Sequence, residues 1–272
     1  DSVPTFFVTG QVATPGLKGA LWVRQLGFQE TDMASIVAPI SKGAVTLTQP
    51  LAARQTLEKL LWTATEGRPG PVLLDLPDDV QRAEVETQVG FRPPPAIPFQ
   101  ALPVEEIAEF FRRSSHPLLV MGAGVHQARQ ERQARDWLES LNIPTLLTWG
   151  AKDLLPYGHP LNFGSFGTCG ERLGNKILLE EDLILSVGSR LDMNTVGKVQ
   201  TNFAPQAKKI IVDRDWAELQ RFPTWDLRLE ADMADLFKVP FSPGDNWPEW
   251  AQQLDRLRKP YPHPEPNGSM KT

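Results

Sequence analysis

Four short apolar runs constrain the fold more than any other feature: Val72–Leu76, Pro117–Met121, Asp182–Val187 and Lys208–Val212. They exit into Pro77, Gly122-Ala123-Gly124, Gly188-Ser189-Arg190 and Asp213. Runs of this kind suit strands covered on both faces, the habit of parallel sheets. Stretches of helical period lie between them. Leu57, Leu60, Leu61 and Ala64 share a face within Leu51–Thr65. Ile107, Phe110 and Phe111 do so within Val104–Arg113, and Trp137, Leu138 and Leu141 within Arg129–Leu141. Further strands are expected at Phe6–Thr9, Ala44–Thr48 and Ile143–Thr148. A short helix with Met33, Ile36 and Val37 is expected, capped by Thr31 or Asp32 and stopped by Pro39. Others are expected at Gly174–Glu181, Ala231–Phe237 and Trp247–Arg258. Alternating strands and helices predict an α/β fold with two parallel-sheet units.

Five prolines between Pro93 and Pro103 suit neither a helix interior nor a central strand, so they predict a linker. The expected organisation is a first unit over 1–85, a linker over 86–103, a second unit over 104–245, and a helix and linker over 246–272. The opening on a strand-like run and the proline-rich Pro260–Pro266 both suggest a piece of something longer. A net charge of -5 gives no reason to expect nucleic acid or an anionic membrane surface as a partner. No apolar run approaches the roughly 20 residues of a membrane span. The single cysteine, Cys169, excludes an internal disulfide and a cysteine-based zinc site, which fits a cytoplasmic location. His116, His126, His159 and His263 lack ligand spacing and are expected at the surface or in linkers. Cys169 is expected to be inert, and Trp247 and Trp250 to pack their helix onto the second unit. Asp78 and Asp79 resemble a carboxylate pair, but in an extended segment they would point opposite ways, so a solvated loop is expected.

Open α/β sheets bind ligands beyond the carboxyl ends of their strands. Gly122, Gly124 and Gly188 fall there and would let backbone N–H groups approach a phosphate. A helix after Gly124 would aim its dipole at that phosphate, and Asp213 could accept from ribose hydroxyls. Gln127 occupies the place of the third glycine of the full dinucleotide fingerprint. Two readings therefore stay open: nucleotide binding, or tight strand-to-helix turns.

The segments VTGQV (Val8–Val12), GFQETD (Gly27–Asp32) and GRPGPVLLDLPDDVQ (Gly67–Gln81) resemble the pyrimidine-binding domain of thiamine-diphosphate enzymes of the acetolactate synthase group. PLLVMGAGV, DLILSVGSRLD and FAPQAKKIIVDRDWAEL resemble successive strands of that group's central domain, a Rossmann-like unit. The resemblance runs from end to end in order and spacing. It implies a partial pyrimidine-binding domain followed by a central domain, with the glutamate that activates the cofactor expected before Asp1. The Gly-Asp-Gly…Asn signature for Mg²⁺ and the diphosphate is expected after Thr272. On that reading the chain alone holds no catalytic residue or metal ligand and is inactive by itself.

The resemblance further implies that Phe28, Gln29 and Asn194 lie at the substrate entrance. In flavin-containing members a structural FAD would meet Arg68, Gly122, Ala123, Gly124, Thr148, Trp149, Gly164, Gly188, Ser189, Arg190, Asp192, Asp213 and Asp232. Arg68 would pair with a phosphate. The implied partners are a 2-oxo acid and further copies of the chain, as a homodimer or homotetramer. Three departures stand out. Phe163-Gly164-Ser165-Phe166-Gly167 replaces Leu-Gly-Met-His-Gly, Asn194 replaces an arginine that grips the carboxylate of the second 2-oxo acid, and Asp78 replaces a lysine. Asparagine offers neither charge nor a bidentate fork. The expectation is a related carboligase or decarboxylase with another acceptor; the alternative is a non-catalytic module that binds FAD, ADP or a partner.

Overall fold

The computed structural model describes residues 2–86, 89–241 and 247–260. The chain divides into two compact units, Asp1–Ile97 and Pro98–Thr272, the division falling within the proline-rich stretch.

In the first unit the elements are β1 (Phe6–Gln11), α1 (Met33–Val37), β2 (Gly43–Thr46), α2 (Ala53–Thr65), β3 (Val72–Pro77) and α3 (Asp78–Arg82). The strands form a parallel sheet in the order β1-β3-β2. Alternation along β3 sends Val72 and Leu74 into a small core with Leu60 and Ala64 of α2. Asp32 caps α1 as expected, its carboxylate accepting from Ser35 N. The expected loop at Asp78–Asp79 is corrected. Both aspartates open α3, where acidic side chains suit the helix dipole, and Asp79 reaches back to Thr14. The proline stretch has no regular structure from Ala83 to Glu86 or from Val89 to Pro103. Its beginning nevertheless packs: Phe91 lies 5.5 Å from the Trp62 ring and donates its N–H to Glu58 at 2.6 Å.

The second unit contains α4 (Val104–Arg113), β4 (Pro117–Met121), α5 (Gly124–Gln127), α6 (Glu131–Leu141), β5 (Thr145–Leu147), α7 (Arg172–Ile177) and β6 (Leu183–Val187). It continues with α8 (Met193–Val196), β7 (Lys208–Asp213), α9 (Trp216–Leu219), β8 (Leu227–Glu230), α10 (Met233–Leu236) and α11 (Trp247–Arg258). Its five strands are all parallel, in the order β5-β4-β6-β7-β8. Leu119, Met121, Leu185, Val187, Ile210 and Val212 face one core, built with α4 and α6. Leu118, Val120, Ile184 and Ile211 face a second core with α7, α9 and α11. A sheet covered on both faces explains why these strands carry no polar alternation.

Sequence periodicity misplaced several boundaries in this unit. The helix expected from Arg129 starts at Glu131, because Arg129 takes a left-handed backbone (φ 55°) that separates α5 from α6. The helix expected over Gly174–Glu181 is Arg172–Ile177, leaving Glu181 buried beyond its end. Strand β8 was not anticipated; it is a four-residue edge strand. His116 and His126 are not free surface groups. His116 stacks on Trp250 at 4.4 Å, and the two ring nitrogens of His126 face Glu131 (3.0 Å) and Asp153 (2.9 Å). Trp250 is buried in the second core as expected, whereas the Trp247 side chain and His263 lie outside the described residues. Cys169 is exposed. Among the described residues no helix is long and apolar enough to cross a membrane.

Candidate functional site

In the second unit β4 sits inside the sheet, with β5 on one side and β6 on the other. The chain therefore reverses direction across the sheet between β4 and β6, the place where open α/β sheets form a ligand crevice. Gly122-Ala123-Gly124 leaves β4 and Gly188-Ser189 leaves β6 at that point. The two loops interlock through their backbones. Gly122 N donates to Val187 O and Gly124 N to Gly188 O, both at 2.9 Å. A Cβ on Gly122 would overlap Gly188 O, and one on Gly124 would stand 2.8 Å from Gly188 Cα. Gly188 itself has φ +59°, a left-handed conformation that side chains disfavour. The glycines are required here by close backbone approach. Their Cβ space is filled by protein, and the amides of Gly122 and Gly124 are already committed. The helix after Gly124 is a single turn, so it brings little dipole.

The other expected contacts rim the same end of the sheet. Thr148 N binds Met121 O at 3.0 Å and Trp149 starts a 3-10 turn with its side chain exposed. A Cβ on Gly150 would stand 2.7 Å from the Ala123 Cβ, so the loops after β5 and β4 also touch. Ser189 is buried and its hydroxyl accepts from Leu191 N at 3.3 Å. Arg190 pairs with Glu218 at 3.4 Å, and its carbonyl accepts from Arg221 at 2.9 Å. Asp192, Asp215 and Asp232 cap α8, α9 and α10, each with one carboxylate oxygen on backbone N–H groups. Asp213 Oδ1 accepts from Asp215 N at 3.0 Å. Gly164 lies on the loop beside β5, where its carbonyl accepts from Leu147 N. Asn194 is exposed on the first turn of α8, and its carbonyl accepts from Thr168 N at 2.7 Å. At this edge the Gly122 and Gly124 amides are taken by the Val187 and Gly188 carbonyls, while Ser189 and Arg190 stand beside them on the loop leaving β6. Among the described residues no group of three or more His, Cys, Asp or Glu is placed to hold a metal ion.

In the first unit the expected residues lie at opposite ends of the sheet. Phe28 and Gln29 belong to the loop leaving the carboxyl end of β1, and Arg68 precedes the amino end of β3. Arg68 Nε donates to Ser2 Oγ at 2.7 Å. The carboxyl end also holds a polar cluster that sequence reading passed over. Asp75, fully buried on β3, stands in register with Thr9 and Thr46 on the flanking strands. Its carboxylate accepts from Thr9 Oγ1 (2.8 Å), Thr46 Oγ1 (3.1 Å) and Gln11 Nε2 (2.9 Å). The signal was present: one acid inside an apolar run demands partners.

A second missed acid is Glu181, 4% exposed, whose oxygens find no well-formed hydrogen bond among the described residues. Burial pushes its carboxyl up to about 8, against weaker opposing pulls from its own and the Glu180 backbone N–H and from Lys209. It precedes the amino end of β6, away from the crevice.

Residues 104–239 match the family described as "Thiamine pyrophosphate enzyme, central domain". The chain belongs to this family. It is 34% identical over 98% of its length to the acetolactate synthase isozyme 1 large subunit of Escherichia coli (strain K12), covering 47% of that protein. It is 32% identical over 96% of its length to the acetolactate synthase large subunit of Corynebacterium glutamicum, covering 43% of it. Against a probable acetolactate synthase large subunit of Methanocaldococcus jannaschii the identity is 28%, over 96% of this chain and 46% of the relative. The chain spans about half the length of the curated relatives it matches. The family match coincides with the five-stranded unit, from the start of α4 to just beyond α10. The first unit lies outside it and is reached only by the likeness to whole relatives.

Proposed function

We propose that this chain supplies part of the pyrimidine-binding domain and the central domain of a thiamine-diphosphate-dependent carboligase or decarboxylase acting on a 2-oxo acid. The observation that carries this reading is the similarity to acetolactate synthase large subunits across 98% of the chain, joined to the family match. The proposed boundaries are 1–85 and 104–245, with a linker over 86–103 and a helix and linker over 246–272. Thiamine diphosphate, with Mg²⁺, supplies the electron sink for loss of CO₂ from the 2-oxo acid. The role of these residues is to bind and orient. Phe28 offers an exposed apolar face and Gln29 an amide to the incoming acceptor, and Asn194 contributes a neutral amide. A neutral amide grips a carboxylate far more weakly than a guanidinium, so the acceptor differs from the 2-oxo acid of an acetolactate synthase. A structural FAD, if bound, would lie along the Trp149, Ser189, Arg190, Asp213 and Asp232 rim of the second unit. Assembly is at least dimeric, and the location is cytoplasmic.

The test uses the full natural polypeptide with thiamine diphosphate and Mg²⁺, offered pyruvate and then pyruvate with a panel of aldehyde and 2-oxo acid acceptors. CO₂ release with little acetolactate from pyruvate alone is expected, and Asn194→Arg should raise acetolactate formation. Efficient acetolactate synthesis by the unmodified protein would overturn the altered acceptor. No CO₂ release from any 2-oxo acid, together with saturable ADP or FAD binding by calorimetry, would replace the enzyme with a nucleotide-binding module. A yellow purified protein would place flavin in it.

A further inference from the structure

The connection between β1 and α1 is long, and its only regular structure is one 3-10 turn, Thr14–Gly16. Leu21, Trp22, Val23, Leu26 and Phe28 all face solvent, Phe28 at 87% exposure. Apolar burial therefore does little to hold this loop, and the task falls to polar contacts. The loop is fastened at its base twice. Asp79 accepts from Thr14 N (2.9 Å) and Thr14 Oγ1 (2.5 Å), and Gln11 Nε2 donates to Thr31 O at 2.6 Å. Within the loop Gly27 N donates to Gly16 O at 2.8 Å. The two strands of the loop approach so closely that a Cβ on Gly27 would stand 2.9 Å from Gly16 O.

Glu30 closes what remains. One carboxylate oxygen accepts from Lys18 N and the other from Leu26 N, both at 2.6 Å. These two backbone N–H groups hold the Glu30 carboxyl below its usual range, helped by the Lys18 charge. Phe28 and Gln29 are thus the two residues between clamped points, Gly27 on one side and Glu30 on the other. Gln29 carries φ +68°, a conformation uncommon for a residue with a side chain, which persists where neighbours over-determine the backbone.

We infer that Glu30 is the positioning residue of this loop: its carboxylate, bridging the Lys18 and Leu26 amides, holds Phe28 and Gln29 in one place. The consequence for substrate rests on the proposed role of Phe28 and Gln29 at the acceptor entrance. The positioning itself does not. Glu30→Ala removes both acceptors, and Glu30→Gln keeps one.

Amide exchange read by mass spectrometry, on this chain and on the full natural polypeptide, tests the clip. In Glu30→Ala, peptides over 18–28 should exchange about tenfold faster, as expected on losing hydrogen bonds to a charged acceptor. Glu30→Gln should be intermediate, with peptides over 72–77 unchanged as a control on folding. Unchanged exchange over 18–28 in Glu30→Ala overturns the inference. In the full polypeptide the same variant should raise KM for the acceptor about tenfold while first-substrate decarboxylation stays within about twofold, because misplacement costs orientation and not cofactor chemistry. Faster exchange with unaltered KM would refute the entrance role of Phe28 and Gln29 and leave the clip standing.

Discussion

The two parallel sheets of this molecule are held in different ways. In the second unit, β4, β6 and β7 interleave two apolar cores, and the loops at the crevice lock together backbone to backbone through glycines. In the first unit, Phe7 and Val8 of β1 are adjacent and therefore point to opposite faces, yet they are 53% and 60% exposed. What organises that sheet at its carboxyl end is hydrogen bonding to carboxylates: Asp75 across the strands, Asp79 and Glu30 in the loop. One unit is specified by shape, the other by satisfied charge. Shape tolerates no added atom, whereas a carboxylate clip can be loosened one bond at a time.

The sharpest way to break the comparison is Gly122→Val. A branched side chain forced against Gly188 O should cost about 3 kcal/mol or more, since the backbone must move to admit it. Denaturation followed by amide exchange in β4 and β6 would measure it; a loss below 1 kcal/mol would mean that the interlock is not tight. Asp75→Ala tests the other side. It leaves the Thr9, Thr46 and Gln11 donors without their buried acceptor and should cost about 2–3 kcal/mol, confined to peptides of the first unit. An unchanged first unit would show that the cluster is ornamental.

Glu181 sharpens the contrast within the second unit, because it is a buried acid that no described residue meets with a well-formed hydrogen bond. Its folded pKa of about 8 lies above the ordinary 4.5, so the native state keeps a proton that the unfolded chain loses. Its contribution to stability is full below pH 4.5 and is lost as pH rises toward 8. Lys209, whose own proton affinity is lowered by burial, opposes the loss, and Asp182 reinforces it. Glu181→Gln should therefore gain on the order of 1–2 kcal/mol above pH 8 and little at pH 4.5, read as melting temperature against pH. A gain independent of pH would contradict the assignment. The smallest effect belongs to the exposed Asp78–Arg82 pair on α3: Arg82→Ala should change stability by no more than about 0.5 kcal/mol by urea titration.

Much of this was legible in the residues themselves. Strands covered on both faces leave uninterrupted apolar runs, so β3, β4, β6 and β7 could be read almost to the residue, as could α4 and α11. Edge strand β8 and the helices α8 and α9 were missed, because four residues carry too little periodicity to stand out. At the crevice, sequence placed the right glycines but could not say what they approach. That depends on the neighbouring strand, and the neighbour is another loop. Asp213 was visible as an acid at a strand end, and Asp192 and Asp232 only through the family resemblance, yet their use as caps or on a neighbouring amide follows from where each helix begins.

By itself the sequence determined the α/β class, the parallel strands and the family, because burial pattern and motif order are local and cumulative properties. Only the tertiary structure decided which N–H groups remain open and which buried acids are satisfied. It also decided that Glu30, a member of GFQETD, gathers the Lys18 and Leu26 amides that precede it in the loop. Hydrogen bonding depends on direction and on distances of a few tenths of an ångström between residues far apart in the chain, and no spacing along the chain encodes that.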